Sequence, residues 1–110
     1  MMVSNSKNFI IIDYNKWQAT GRSCEVMALE PLAAKWQAFG WQAYEIDGHS
    51  FEQILEVFSK IPASSGKPTA IIAHTIKGKG ISFMEDNNNW HYRIPTDEEL
   101  LQAKSELGIV

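Results

Sequence analysis

The chain opens, after a polar start, on Phe9-Ile10-Ile11-Ile12, a continuous apolar run rich in β-branched residues. It does not alternate, which predicts a strand covered on both faces, as in a parallel sheet. The run stops at Asp13-Tyr14-Asn15. Residues 15–28 show no clean period, contain Gly21 and predict a loop. A helix is predicted from near Glu30, with Pro31 suited to its first turn. Leu29, Leu32, Ala33 and Trp36 follow helical spacing and would share a buried face, and Gly40 ends the element. Trp41 to Ile46 reads as a second strand, and Asp47-Gly48-His49 turns the chain. Ser50 and Gln53 form a capping-box pattern ahead of a helix whose apolar stripe is Phe51, Ile54, Leu55 and Phe58. Pro62-Ala63-Ser64-Ser65-Gly66 predicts a loop and Thr69 to Ala73 a third apolar strand. Gly78 and Gly80 loosen the next stretch, which continues through the polar Asp86-Asn87-Asn88-Asn89. A second capping box, Thr96 with Glu99, starts a last helix that runs to about Leu107 and closes at Gly108.

The predicted order is strand, helix, strand, helix, strand, long loop, helix. It implies an α/β fold, a parallel sheet with right-handed crossover helices. Three such strands leave two open sheet edges and helices enough for about one face. Strands that look buried on both faces therefore predict further strands, on another chain or in a preceding segment.

Composition narrows this little. The 110 residues hold one domain at most. Four Trp, five Phe and three Tyr are a large aromatic load, some of it expected to cover an interface. A formal charge of −3, without a Lys/Arg arm, argues against nucleic acid. Cys24, the single cysteine, cannot form an internal disulfide, which fits a reducing, cytoplasmic compartment. The start lacks a signal-peptide core, and no run is long enough for a membrane helix.

Ligands of open α/β sheets bind beyond the carboxyl ends of the strands. Three segments qualify: Asp13 to Gln18, Asp47-Gly48-His49, and His74 through Lys77-Gly78-Lys79-Gly80 to Trp90-His91. From the residues alone, Asn15 is a turn Asn capping its own backbone. Trp17 is a core or interface ring, and His91 a loop residue with a local contact. His49 reads as structural, ahead of a helix cap, and His74 has little claim to a ligand. Lys77 and Lys79 flank glycines whose amides suit a phosphate, or belong to a solvated loop. Cys24 has no neighbouring His to activate it.

The segment Ile12-Asp13-Tyr14-Asn15-Lys16-Trp17-Gln18-Ala19-Thr20-Gly21 resembles the end of the transketolase thiamine-diphosphate motif. Leu29-Glu30-Pro31-Leu32, Phe39-Gly40-Trp41, Ile46-Asp47-Gly48-His49, Lys67-Pro68-Thr69, Thr75 to Gly80, Trp90-His91 and Pro95 follow in the family's order. The likeness covers nearly the whole chain and is nearest to the N-terminal subunits of split bacterial transketolases. It implies that residues 1–110 are the C-terminal part of a thiamine-diphosphate-binding (PP-type) domain. It further implies that the Asn15 side chain and the Trp17 carbonyl bind the Mg²⁺ holding the diphosphate, with the Trp17 side chain toward the cofactor. His91 would lie near the diphosphate and the substrate, where an imidazole donates to a phosphate or a developing oxyanion. Trp17 departs from the smaller aliphatic common at its position, and Tyr92 from a common Gly.

The implied activity is transfer of a two-carbon ketol unit between sugar phosphates. Only fourteen residues precede Asn15. The family's Gly-Asp-Gly segment, its metal-binding Asp and the second thiamine domain are therefore expected on a partner, in a homo- or hetero-oligomer, and activity is expected only of the assembly. A non-catalytic remnant or interaction domain and a deoxyxylulose-phosphate synthase are the alternatives. A generic nucleotide-binding domain would need a Gly-x-Gly-x-x-Gly turn, which is absent.

Overall fold

A computed structural model describes residues 8–61 and 66–109. The polar start and most of the Pro62–Gly66 loop lie outside them. The elements in chain order are strands β1 (Phe9–Tyr14), β2 (Trp17–Gln18) and β3 (Gly21–Arg22), then helices α1 (Ser23–Val26) and α2 (Leu32–Ala38). Strand β4 (Gln42–Asp47), helix α3 (Phe51–Ser59), strand β5 (Thr69–His74), a 3-10 turn over Asn88–His91 and helix α4 (Asp97–Glu106) complete the set.

The main sheet is parallel, with the order β1-β5-β4. The last strand in sequence is thus the central one. Its residues Thr69 to Ala73 are all buried, with Ile71 and Ile72 at 1% and 0% exposure. On one face Ile72 joins Tyr14 and Ala43, covered by Ile12 and by Leu29, Leu32, Ala33 and Trp36. The helical face read from the sequence is the face that packs. On the other face Ile71 and Ala73 lie beside Ile11, Ile46, Ile54 and Phe58 around a cavity of about 230 Å³. Phe9 meets Phe58 edge-on there, with ring centroids 5.5 Å apart.

Three expectations need correction. The doubly covered strand is β5, not the Phe9–Ile12 run: within this chain Ile11 is 54% exposed, because β1 is an edge and no helix crosses its α3-side face. Residues 15–28 are not merely a loop, since β2 and β3 pair as a small antiparallel hairpin and α1 follows. Such two-residue strands are too short to show a period. Helix α2 begins at Leu32, with Pro31 as its N-cap rather than a residue of its first turn. The strands also run further than predicted, β1 to Tyr14, β4 to Asp47 and β5 to His74, because their polar last residues still pair in register.

The helix ends follow local chemistry. After α2, Gly40 takes φ 86° and its amide donates to Gln37, while the Trp41 amide donates to Trp36. This double closure needs a left-handed residue, which glycine adopts without Cβ strain. The accompanying apolar contact is Trp36 against Trp41, 5.0 Å between ring centroids. Helix α4 has a full capping box, Thr96 and Glu99 each bonding the other's backbone amide. At α3 only half the box forms: Ser50 accepts from the Gln53 amide, but the Gln53 side chain accepts from Asp47 instead. The α3 stripe is shifted as well. Val57 is buried at 2%, whereas Phe51 and Leu55 are 81% and 71% exposed. The helix lies over β4 at the sheet's other edge, so the outer part of the stripe has nothing of this chain beneath it.

Truncating Ile72 to Ala should cost about 2–5 kcal/mol by urea denaturation, the range for deleting a fully enclosed side chain. The same change at half-exposed Ile11 should cost less than about 1 kcal/mol in this chain alone. Thr96→Ala should cost about 1 kcal/mol through loss of the cap.

Candidate functional site

Parallel pairing places Tyr14, His74 and Asp47 level with one another, so all three strand carboxyl ends open on one side. A cavity of about 700 Å³ lies there, lined by Asn15, Lys16, Arg22, Asp47, His49, His74, Thr75, Ile76, Lys79, Glu85 and Asp86. Residues from all three predicted segments meet at it.

The floor is tight. The Gly48 amide donates to the His74 carbonyl at 2.8 Å. A Cβ at Gly48 would stand 2.5 Å from Thr75 Cγ2 and 3.1 Å from Ala73 Cβ, so the turn admits only glycine without a shift. The Thr75 hydroxyl donates to Asp13, and the Thr75 amide to the Tyr14 carbonyl at 3.3 Å. These bonds tie the end of β1 to the segment after β5.

Asn15 Oδ1 accepts the Trp17 amide at 2.9 Å. That is an Asx turn, the local role read from the residues alone. An amide oxygen has a second lone pair, so the turn orients this oxygen without exhausting it. Between the two, Lys16 has φ 70°, a left-handed conformation costly for a side chain with a Cβ. Its Nζ donates to the Tyr14 carbonyl at 3.1 Å, lies 2.5 Å from His74 Nδ1 and sits 3.8 Å from the Tyr14 ring centroid. The donating ammonium makes Nδ1 the acceptor, so the His74 proton is on Nε2, which faces Glu45 Oε1 at 3.2 Å. Burial holds the Lys16 ammonium below its ordinary pKa, against the opposing pull of Glu30 and Glu45.

The Trp17 side chain lies away from the cavity lining. Its Nε1 donates to Asp86 at 2.8 Å, and the Arg22 guanidinium stacks 3.7 Å from the indole centroid. Arg22 also grips both Asp86 oxygens, at 2.6 Å each. Arg22 first and Trp17 second hold the Asp86 carboxyl below the usual carboxylate range. The stability this lends is present above the ordinary Asp pKa and is lost only as pH falls through the lowered one. The pair is half-exposed, so its contribution is small. Its geometric effect is larger: it fastens the β2–β3 hairpin to the segment after β5. Asn88 adds bonds to the Gln18 and Ala19 carbonyls at 3.0 and 3.2 Å.

His49 Nε2 accepts the Ile76 amide at 2.8 Å, which makes it a brace of the rim, in line with its structural reading. Lys79 stands 3.5 Å from Glu85, which also accepts the Gly80 amide at 3.1 Å. The Gly80 amide first, then Lys79, lowers the Glu85 pKa. Lys77 and Gly78 line a smaller recess beside the cavity. His91 is exposed on the 3-10 turn, with its ring 4.6 Å from Tyr92, and is not among the lining residues. Cys24 is exposed. Asn15 is therefore at the cavity, whereas the Trp17 side chain and His91 are not part of its lining. The structure adds Lys16, Arg22, Asp47, His74 and Asp86. Most of these contacts span some sixty residues of sequence, beyond the reach of any local motif, and Lys16 alone stood next to a candidate.

Among the described residues no three His, Cys, Asp or Glu gather where they could hold a metal, and no helix is long and apolar enough to cross a membrane. The oxygens available near Asn15 are neutral ones.

Comparison with known proteins places this geometry. Residues 4–110 match the family described as transketolase, thiamine diphosphate binding domain. One of the two subunits of an apulose-4-phosphate transketolase from Phocaeicola vulgatus is 42% identical over 98 residues, covering 89% of this chain and 35% of the relative. A 6-deoxy-6-sulfo-D-fructose transketolase subunit of a Clostridium species is 43% identical over 95 residues, covering 86% of this chain and 34% of its own length. The chain thus spans about a third of the relatives it matches. The crystal structure of transketolase from Campylobacter jejuni superposes with a TM-score of 0.82 at 27% identity, covering 92% of this chain and 16% of that one. With a parallel sheet, a cavity at its carboxyl ends and a family match along nearly its whole length, the chain belongs to the transketolase thiamine-diphosphate-binding domain family.

Proposed function

We propose that this chain supplies part of the cofactor site of an assembly that moves a two-carbon ketol unit from a ketose phosphate to an aldose phosphate, using thiamine diphosphate and Mg²⁺. The observation that carries the reading is Asn15, held by its Asx turn at a cavity beyond the strand ends of a transketolase-family fold. Relatives named as transketolase subunits support an assembly of more than one polypeptide.

The donor set fits Mg²⁺. The ion takes oxygen ligands and is commonly held by one or two protein groups together with phosphate oxygens. The free lone pair of Asn15 Oδ1 and the Trp17 carbonyl are two such oxygens, two residues apart on one turn. The carbonyl role is independent of the indole, which is engaged with Asp86. When bound, thiamine diphosphate supplies an electron sink for the two-carbon unit. This chain's residues bind and orient: Asn15 and Trp17 toward the metal, and His91 as a hydrogen-bond donor to a phosphate or developing oxyanion near the substrate. The charge that the neutral oxygens leave unmet is assigned to a carboxylate on the partner carrying the Gly-Asp-Gly segment. That partner also supplies the second thiamine domain. A cytoplasmic location suits the unpaired Cys24.

The test is to titrate Mg²⁺ and thiamine diphosphate into the chain alone and into a mixture with the polypeptides carrying those segments. Mg²⁺-dependent binding is expected in the mixture, and its absence there sinks the reading. Asn15→Ala should weaken that binding at least about tenfold. Intact metal dependence in this variant would refute the site while sparing the fold. His91→Ala should lower kcat of the mixture by about a hundredfold with little change in cofactor affinity. An unchanged kcat would remove His91 from the reaction.

A further inference from the structure

Lys16 has a conformation and an environment that its structural contacts do not require. At φ 70° glycine would be unstrained, yet a lysine is present. A side chain kept in a strained backbone state points to a use for that side chain. Its ammonium is partly dehydrated and lies at the cavity lining.

The other charges of the cavity are matched locally. Arg22 is bidentate on Asp86, and Lys79 faces Glu85. His49 has given its ring nitrogen to the Ile76 amide. Lys16 has no carboxylate within ion-pair distance among the described residues. Its partners are two neutral acceptors, the Tyr14 carbonyl and His74 Nδ1. An ammonium has three N–H donors, so one is left for a ligand. Glu45 takes the far side of the His74 ring and holds Nδ1 as acceptor toward Lys16, which fixes the direction of the ammonium.

We propose that Lys16 is an anion-binding residue of this cavity, its third N–H and uncompensated charge recognising a tetrahedral oxyanion of phosphate or sulfonate type. The ligand's anionic group would supply the counter-charge that the protein withholds. Two sources share this chemistry, the diphosphate of a cofactor and the charged group of a sugar substrate. The inference takes from the proposed function only that the cavity is the ligand site. It does not depend on Mg²⁺ or on Asn15.

The test is an NMR titration of the full chain, without Mg²⁺, with inorganic pyrophosphate, inorganic phosphate and methanesulfonate in separate arms. The Lys16 ε-methylene and His74 ring signals should shift saturably. Tightest binding of pyrophosphate identifies the cofactor tail as the source. Tightest binding of phosphate or methanesulfonate identifies the substrate. Lys16→Gly removes the charge and relieves the backbone together, so Tm should be unchanged or higher while anion affinity falls about tenfold, the loss expected for one charge-assisted hydrogen bond. Lys104→Gln on α4 should leave affinity as it is. The proposal is overturned if no probe binds the wild-type chain, or if Lys16→Gly binds as tightly as wild type. Loss of Mg²⁺-dependent cofactor binding in Asn15→Ala, with an unaltered anion titration in Lys16→Gly, would refute this inference and leave the proposed function standing.

Discussion

Everything in this chain hangs on the burial of β5. Its two faces hold opposite halves of the core, Ile72 against the α2 side and Ile71 against the α3 side. Fully burying such a side chain contributes about 1.5–3 kcal/mol each, more than any exposed ion pair here can. Its parallel ladders to β1 and β4 set the level of Tyr14, His74 and Asp47. A one-residue slip would turn Ile71 and Ile72 to each other's faces and move every group at the rim with them.

The rim is held by polar bonds that cross between segments. Thr75 to Asp13, Ile76 to His49, and Arg22 with Trp17 to Asp86 each join chain pieces far apart in sequence. They lie at the surface and add little stability. They set the distances between elements that the core alone leaves loose. The cavity owes its shape to these ties and its position to the sheet.

The elements were legible where one local signal sufficed. Gly40 beside Trp36 and Trp41 announced a helix end, and Thr96 with Glu99 a helix start. The apolar run of Thr69–Ala73 and the Leu29–Trp36 face packed as their spacing implied. Legibility failed where the deciding neighbour is remote. Ile10–Ile12 and Thr69–Ala73 look alike as strings, and only strand order separates an edge from a centre. Ser50 and Gln53 match a capping box, but Asp47 competes for the Gln53 side chain. Asn15 was visible through family likeness, and the structure adds the turn that holds it. The Asp86 clamp has no local signature, since its partners sit on the opposite side of the fold.

The strand order carries a temporal consequence. On a ribosome β1 and β4 emerge first, and neither is the other's neighbour. Phe9 finds its partner only when Thr69 has been made, and so does Gln42. Until then two apolar strands wait with a gap between them that a third must fill. Assembly of this sheet is therefore an insertion late in synthesis, with high contact order and few partial states worth occupying. A nascent chain stalled before Thr69 would hold helices and strands with no sheet to join, and its exposed strands would be candidates for chaperone capture.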